Sequence, residues 1–425
     1  MIQDIQNRDI VIVGGGAAGM MAALKAAEAG CFVTILEKND ICGKKILITG
    51  KGRCNLTNNK EWSEFSTHIH PVAAFLRPAF YNFDNFRTVE YFNSIGLPTS
   101  VEQGGRIFPL SMRAADVPKV MVSRLKELGV EIIFGADVNA VSQVGEMIKC
   151  TYCLSPNGLA SNSILSKAVI IATGGLSYPS TGSTGMGYEL AESFSHTIVN
   201  TFPSLTALVP EKYDESLYGI ELNNVELNLM IDKDMVQSER GDVSFTAGGI
   251  EGSLGYRVSR KAVKALINGQ KVALTIDLKP ALSLAQLSDR ISRDVAALGA
   301  SKDNLSQSQM KLLLRGLMPA ALIAPFMAYN KDLNVDNLPA KLKEWYFVIK
   351  SYVGYKRAVV TAGGVAQSEI VAKSMRSKLV PNLYFAGEVI DIDGDTGGYN
   401  LQIAFSTGAL AGTNAAQQIL KLRRV

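Results

Sequence analysis

The stretch VIVGGGAAGM, Val11 to Met20, constrains the fold of this 425-residue chain more than any other. Gly14, Gly16 and Gly19 form a G-x-G-x-x-G, a pattern whose meaning depends on the segments around it. Asp9 to Val13 is a short apolar run that reads as a buried strand, and Ala17 to Ala29 is an alanine-rich helix ending at Gly30. Phe32 to Leu36 is a second apolar run, followed by Glu37. This is a βαβ unit of about thirty residues, the context in which such glycines bind a dinucleotide. Gly14 permits the tight turn, Gly16 lets the backbone approach a pyrophosphate, and Gly19 lets helix and strand pack closely. The N–H groups at Ala17 and Ala18 open the helix toward the phosphates. Glu37, 18 residues beyond Gly19, is placed to accept hydrogen bonds from an adenosine ribose, with Lys38 beside it. The competing reading is a plain glycine turn with a solvated glutamate.

From about Ile132 the pattern changes to short strands, EIIFGADVNAV and EMIKCTYCL, then a polar turn SPNGLASN. They read as an antiparallel excursion returning to a buried parallel strand at Ala168 to Thr173. Beyond Pro203, runs such as GIELNNVELNLMI and KVALTIDL alternate, which predicts a β-rich insertion. Pro280 to Tyr346 carries Leu and Ala at helical spacing and reads as a helical layer of that insertion. The first domain resumes near Tyr352. The expected boundaries are 1–199 and 352–425 for the two parts of the nucleotide domain, 200–279 for the β-rich insertion and 280–351 for the helical one.

Lys and Arg total 43 against 39 Asp and Glu, a net charge of +4, and only the terminal KLRR is a basic tract, so nucleic acid is not implied. MIQDIQNRD is unlike a secretory signal. The apolar run Leu317 to Ala328 holds two prolines and is about half the roughly 20 residues of a bilayer span, so it reads as a buried helix. Five scattered cysteines suit a reducing cytoplasm better than a disulfide scaffold.

The C-terminal block YFAGEVIDIDGDTGGYNLQIAFSTG distinguishes among dinucleotides. A long insertion separates it from the first βαβ unit, and a loop of the form AGE(V)xD before a glycine-rich helix start recurs in FAD-binding folds. A helix dipole aimed at the flavin stabilises the charge of its reduced form.

Several blocks, GKKILITGKGRCNLTN, GRIFPLSMRAADV, IIATGGLSYPSTGSTGMGY, VSFTAGGIEG and GYNLQIAFSTG, resemble a bacterial family usually described as NAD(P)/FAD-dependent oxidoreductases. That family includes aminoacetone oxidase and bile-acid ring reductase members, and the likeness runs from residue 9 to about 415. It implies an α/β fold: a glutathione-reductase-like, FAD-binding Rossmann domain interrupted by a β-barrel-like flap and a small helical subdomain. By the same resemblance Lys45, Gly50, Arg53, Cys54 and Asn55 would lie along the pyrophosphate and flavin, Val138 at the adenine, and Thr173 and Gly174 at the AMP half. Gly387, Glu388, Asp391, Gly398, Tyr399, Asn400, Leu401 and Gln402 would complete the flavin end. TAGGIEGSLG departs from the family pattern, which has a His after the Thr and Ser-Gly-Pro further on, so at Ala247, Glu251 and Ser253 the resemblance assigns no substrate-side role.

Other residues carry weaker signals. Cys54 beside Arg53 is either a redox thiol or a small packed residue. Cys42 and Cys54, with eleven residues between them, lack the spacing of disulfide reductases. Cys150 and Cys153 fall on opposite faces of a strand with no second ligand pair, which argues against metal or dithiol work. His68, His70 and His196 are the only histidines, with no matching carboxylate or cysteine pattern, so structural roles are expected and no metal. Arg106, Tyr178, Lys356 and Arg357 are candidates for an anionic substrate or a visiting pyridine nucleotide, or plain surface charge.

The expected protein is a cytoplasmic oxidoreductase with non-covalent FAD. It would act on a small molecule, with NAD(P)H as a transient reductant and an enone, quinone or oxygen as acceptor. An RNA-modifying flavoprotein and a non-catalytic flavin sensor are the alternatives. No residue presents itself as the catalytic acid or base.

Overall fold

The computed structural model describes residues 7–154, 161–300 and 305–423. They divide into two compact units, one built from Met1–Phe202 and Val359–Val425, the other from Pro203–Ala358.

The first unit starts with β1 (Asn7–Val13), α1 (Ala17–Glu28) and β2 (Val33–Glu37). Ile10, Val11 and Ile12 are wholly buried, as expected of a parallel strand covered on both faces. A group of short elements follows, then β3 (Glu131–Phe134), which runs parallel to β2. Next come β4 (Ala136–Val144) and β5 (Met147–Leu154), an antiparallel pair. β6 (Ser161–Ile171) pairs with β5 through its first residues and runs parallel to β1 from Leu165 to Ile171. The predicted excursion and return are therefore present; residues 155–160 of the SPNGLASN turn lie outside the described residues. Cys150 of β5 is buried and Cys153 is half-exposed, in keeping with opposite faces.

The second unit is a closed six-stranded barrel formed by β7 (Leu208–Pro210), β8 (Glu221–Ile231), β9 (Asp234–Thr246), β10 (Gly249–Glu251), β11 (Val272–Asp277) and β12 (Trp345–Tyr352). Helix α2 (Gly252–Ile267) follows β10 directly. Between β11 and β12 lie α3 (Leu284–Ala297), α4 (Gln307–Arg315), α5 (Ala320–Tyr329) and α6 (Leu338–Lys343). Ser283 and Ser306 start α3 and α4 with capping boxes to Gln286 and Gln309. Residues 345–351, assigned to the helical layer by sequence, are instead barrel strand β12. Its WYFVIKSY alternates buried and exposed side chains, so period two wins over the helical composition before it. Leu317 to Ala328 ends up mainly in α5, whose Leu322, Ile323 and Phe326 are buried. No helix among the described residues is long and apolar enough to cross a membrane.

The chain then re-enters the first unit. β13 (Leu383–Phe385) pairs parallel with β6, giving the order β13–β6–β1–β2–β3 across the parallel part of the sheet. The chain closes with α7 (Tyr399–Leu422), which packs on α1. The contact depends on small residues: a Cβ at Gly408 would lie 2.3 Å from the Ala18 carbonyl oxygen, and one at Gly412 2.2 Å from that of Ala22.

Candidate functional site

Two helix N-termini open on one cleft of the first unit. α1 begins at Gly16 and α7 at Gly398; neither has a side-chain cap, and neither has an acidic residue in its first turn. Such uncapped ends carry a positive dipole, which suits an anion. Gly14 turns the chain at φ +101°, where a Cβ would strike the Ala172 carbonyl oxygen at 2.7 Å. Gly19 meets the Gly14 carbonyl so closely that a Cβ would sit 1.9 Å from it. At Gly16, by contrast, a Cβ would meet nothing within 4 Å, so its backbone faces open space. The cleft encloses about 1320 Å³ including its open mouth.

Gly14, Gly16, Ala17 and Ala18 form the α1 wall of this cleft, with Glu37 and Lys38 at the end of β2. Glu37 is buried; Oε2 accepts from the Gly15 N–H at 2.7 Å and Oε1 from the backbone and side chain of Asn39 at 2.8 and 2.7 Å. Acceptor capacity remains on Oε2 for a ligand hydroxyl. Val138 from β4, and Thr173 and Gly174 after β6, line the same space. At the other end are Gly387, Glu388, Asn400 and Leu401.

Lys45 and Glu388, 343 positions apart, meet in the cleft wall at 3.0 Å. Glu388 also accepts from Ser177 Oγ and from the Thr361 N–H at 2.8 Å. Burial works against its charged form, but the Lys45 ammonium and these hydrogen bonds hold the carboxyl below the usual range.

The remaining candidates do not line the cleft. Gly50, Arg53, Cys54 and Asn55 form a loop next to it; Arg53 pairs with Glu102 at 3.2 Å and lies over the Phe108 ring. Cys54 is fully buried, and burial pushes its thiol up to about 12, only partly countered by Thr49. A buried, neutral thiol favours the packed-residue reading of Cys54 over the redox one. Asn55 Oδ1 is buried with no partner among the described residues. Asp391 is buried, its carbonyl accepting from Gln367. Tyr399 is buried at the start of α7. Gln402 turns into the core, donating to the Phe83 carbonyl and to Ser406, because it is on the far side of α7 from Asn400, Leu401 and Ala404.

Sequence reasoning passed over three groups. Thr181 to Thr184 line the cleft beside Lys38, and were visible only as part of the S-Y-P-S-T-G-S-T-G block. Ser177 and Thr361 around Glu388 carry no local signal. His68 and His70, for which spacing offered no carboxylate, both bind Asp395, more than 320 residues away. Among the described residues no group of three or more His, Cys, Asp or Glu is arranged to hold a metal.

Of the other candidates, Arg106 pairs loosely with Glu102 at 3.8 Å. In the second unit Glu251 accepts from Tyr256 at 3.0 Å and from Arg357 at 3.4 Å. Ser253 there donates to the Asp242 carbonyl.

A parallel sheet, a glycine turn into an uncapped helix, an acid at the second strand end and a second uncapped helix returning late in the chain define a flavoenzyme Rossmann unit that binds FAD. The open space at Gly16 and the two uncapped helix ends fit that cofactor. The chain belongs to the family described as HI0933-like protein Rossmann domain, which matches residues 8–414. It is 31% identical over 424 residues to a 3-dehydro-bile acid delta(4,6)-reductase of Clostridium scindens, covering 96% of this chain and 99% of the relative. A ribosomal RNA dihydrouridine synthase of Haemophilus influenzae is 27% identical over 424 residues, covering 97% and 100%. Among solved structures, a quinol fumarate reductase chain of E. coli superposes with a TM-score of 0.50 at 14% identity, over 98% of this chain and 71% of that one; this likeness concerns the fold alone. The chain is an FAD-dependent oxidoreductase.

Proposed function

We propose that the protein is a reductase that saturates a carbon–carbon double bond conjugated to a carbonyl, with NADH or NADPH as transient reductant. The observation that carries this is the pair of full-length relatives. A 3-dehydro-bile acid with 4,6 double bonds and the uracil ring share one reactive element, an alkene polarised by a neighbouring carbonyl. Bound FAD supplies two-electron hydride transfer. In this reading the α1 terminus neutralises the pyrophosphate, Glu37 takes the ribose, and the α7 dipole favours negative charge on the flavin ring. Lys45 and Glu388 hold the wall between these ends.

Anaerobic mixing with NADH or NADPH is expected to bleach the visible flavin band, and a conjugated enone to restore it with formation of the saturated ketone. Restoration by oxygen alone, with every enone inert, would refute the reading. The dihydrouridine-synthase relative favours RNA as a second acceptor. It predicts new dihydrouridine in ribosomal RNA incubated with the reduced protein, and the absence of it would leave the small-molecule reading.

A further inference from the structure

Beside the start of α7 is a polar cluster that the cofactor reading does not use. Asp395 is held through both oxygens: His68 Nδ1 lies 2.8 Å from Oδ2 and His70 Nε2 3.1 Å from Oδ1. On the other edge of the His68 ring, Nε2 is 3.2 Å from Lys60 Nζ. An ammonium only donates, so this contact assigns the tautomer: Nε2 accepts from Lys60, and Nδ1–H donates to Asp395. Glu64 pairs with Lys60 at 2.5 Å, and the Tyr399 ring stacks on the imidazole with centroids 4.4 Å apart. Burial alone would raise the Asp395 carboxyl, but the two histidines bring it down to about 2, so the acceptor is an anion at any working pH.

The turn that carries Asp395 leads into the cleft. The Asp395 N–H donates to the His68 carbonyl at 2.9 Å, and Gly394 pairs with Ile69. Asn400 fastens the other side, accepting from the Gly394 N–H at 2.8 Å and donating to its carbonyl at 2.7 Å. Asn400 itself lines the cleft.

We propose that Lys60, His68, His70 and Asp395 form a positioning clamp that locks the turn from Gly394 to Gly398 and so aims Asn400 and the α7 N-terminus at FAD. The inference rests on the reading that this end of the cleft meets the flavin. Because a fixed helix terminus favours the more negative, reduced cofactor, the clamp raises the flavin midpoint potential.

The test compares wild-type holoprotein with Asp395→Ala, His68→Phe and His68→Gln, reading the FAD dissociation constant, the midpoint potential and the melting temperature of the FAD-free form. Asp395→Ala and His68→Phe are expected to weaken reduced FAD about ten-fold more than oxidised FAD, a fall of about 30 mV in midpoint. A glutamine amide can accept from Lys60 and donate to Asp395, so His68→Gln is expected to restore the wild-type potential. Unchanged potentials in Asp395→Ala and His68→Phe would overturn the clamp, and so would a His68→Gln variant as impaired as His68→Phe. Gly16→Val and Asn400→Ala separate the two failures. If these alter FAD binding while the clamp variants do not, only the clamp is refuted; if they too leave it unchanged, the cleft reading falls as well.

Discussion

Replacing Lys45 by Met strands the Glu388 carboxylate in the cleft wall. The Lys45 and Glu388 side chains are 24% and 18% exposed, so the pair is largely shielded from water. Without the ammonium, burial of Glu388 is opposed only by Ser177 and the Thr361 N–H. Removing one partner of a fully buried pair costs about 3–5 kcal/mol; the remaining exposure and the two surviving hydrogen bonds reduce this to about 2 kcal/mol. For a unit of this size that is about 4 °C in melting temperature near neutral pH. The pH dependence should also change sign. In the wild type the folded Glu388 carboxyl lies below its unfolded value, so its contribution is complete above the unfolded value and is lost as pH falls through the folded one. In Lys45→Met burial dominates and the folded value rises above the unfolded one, so the deficit at about pH 7 should shrink toward about pH 5 as Glu388 takes a proton. Thermal melts of the FAD-free variant at both pH values test this, and Glu388→Gln added to Lys45→Met should recover more than half of the loss. A deficit equal at both pH values and unchanged in the double variant would refute the electrostatic account and leave the packing of the lysine stem as the cause.

Further outcomes are expected. Gly16→Val should abolish FAD binding, measured by flavin fluorescence, with an unchanged melt of the FAD-free form, since its side chain points into open space. Gly408→Ala should instead lower the melting temperature by an amount equivalent to about 1–3 kcal/mol by overpacking α7 on α1. Cys54, fully buried with its thiol pushed up to about 12, should resist alkylation of the native protein in mass spectrometry. Cys54→Ala should then retain flavin reduction by whichever nicotinamide serves the wild type.

The sequence disclosed those parts of the fold whose signals are local. The βαβ unit from Asp9 to Glu37 needed only a buried apolar run, three glycines and an acid at the right offset. The alternation in residues 219–231 similarly announced a β-rich insertion, whereas its closure into a barrel was implied only by the family resemblance. Strand β12 was obscured because its WYFVIKSY follows a long helical stretch, and only burial separates its two faces. The cleft was legible where one segment carries several of its residues, as with Gly14 to Ala18 and with Asn400 and Leu401. It was illegible where chemistry depends on pairing across the chain. Nothing near Lys45 announces Glu388, and nothing near His68 announces Asp395, because sheet topology rather than spacing brings them together. Gln402 shows the converse: it stands in a flavin-like motif, yet helical geometry turns it inward.

The glycine seam between α1 and α7 has a consequence for ligand choice. Both helices present uncapped N-termini to the same cleft, and Gly408 and Gly412 hold the two axes in near backbone contact along Ala18 and Ala22. The spacing between the two positive helix ends is therefore set by a packed seam and not by loops that adjust. The pair acts as a ruler. A ligand with its anionic groups one ruler-length apart satisfies both ends at once, whereas one truncated at the phosphates reaches only one of them and leaves the other helix end to water.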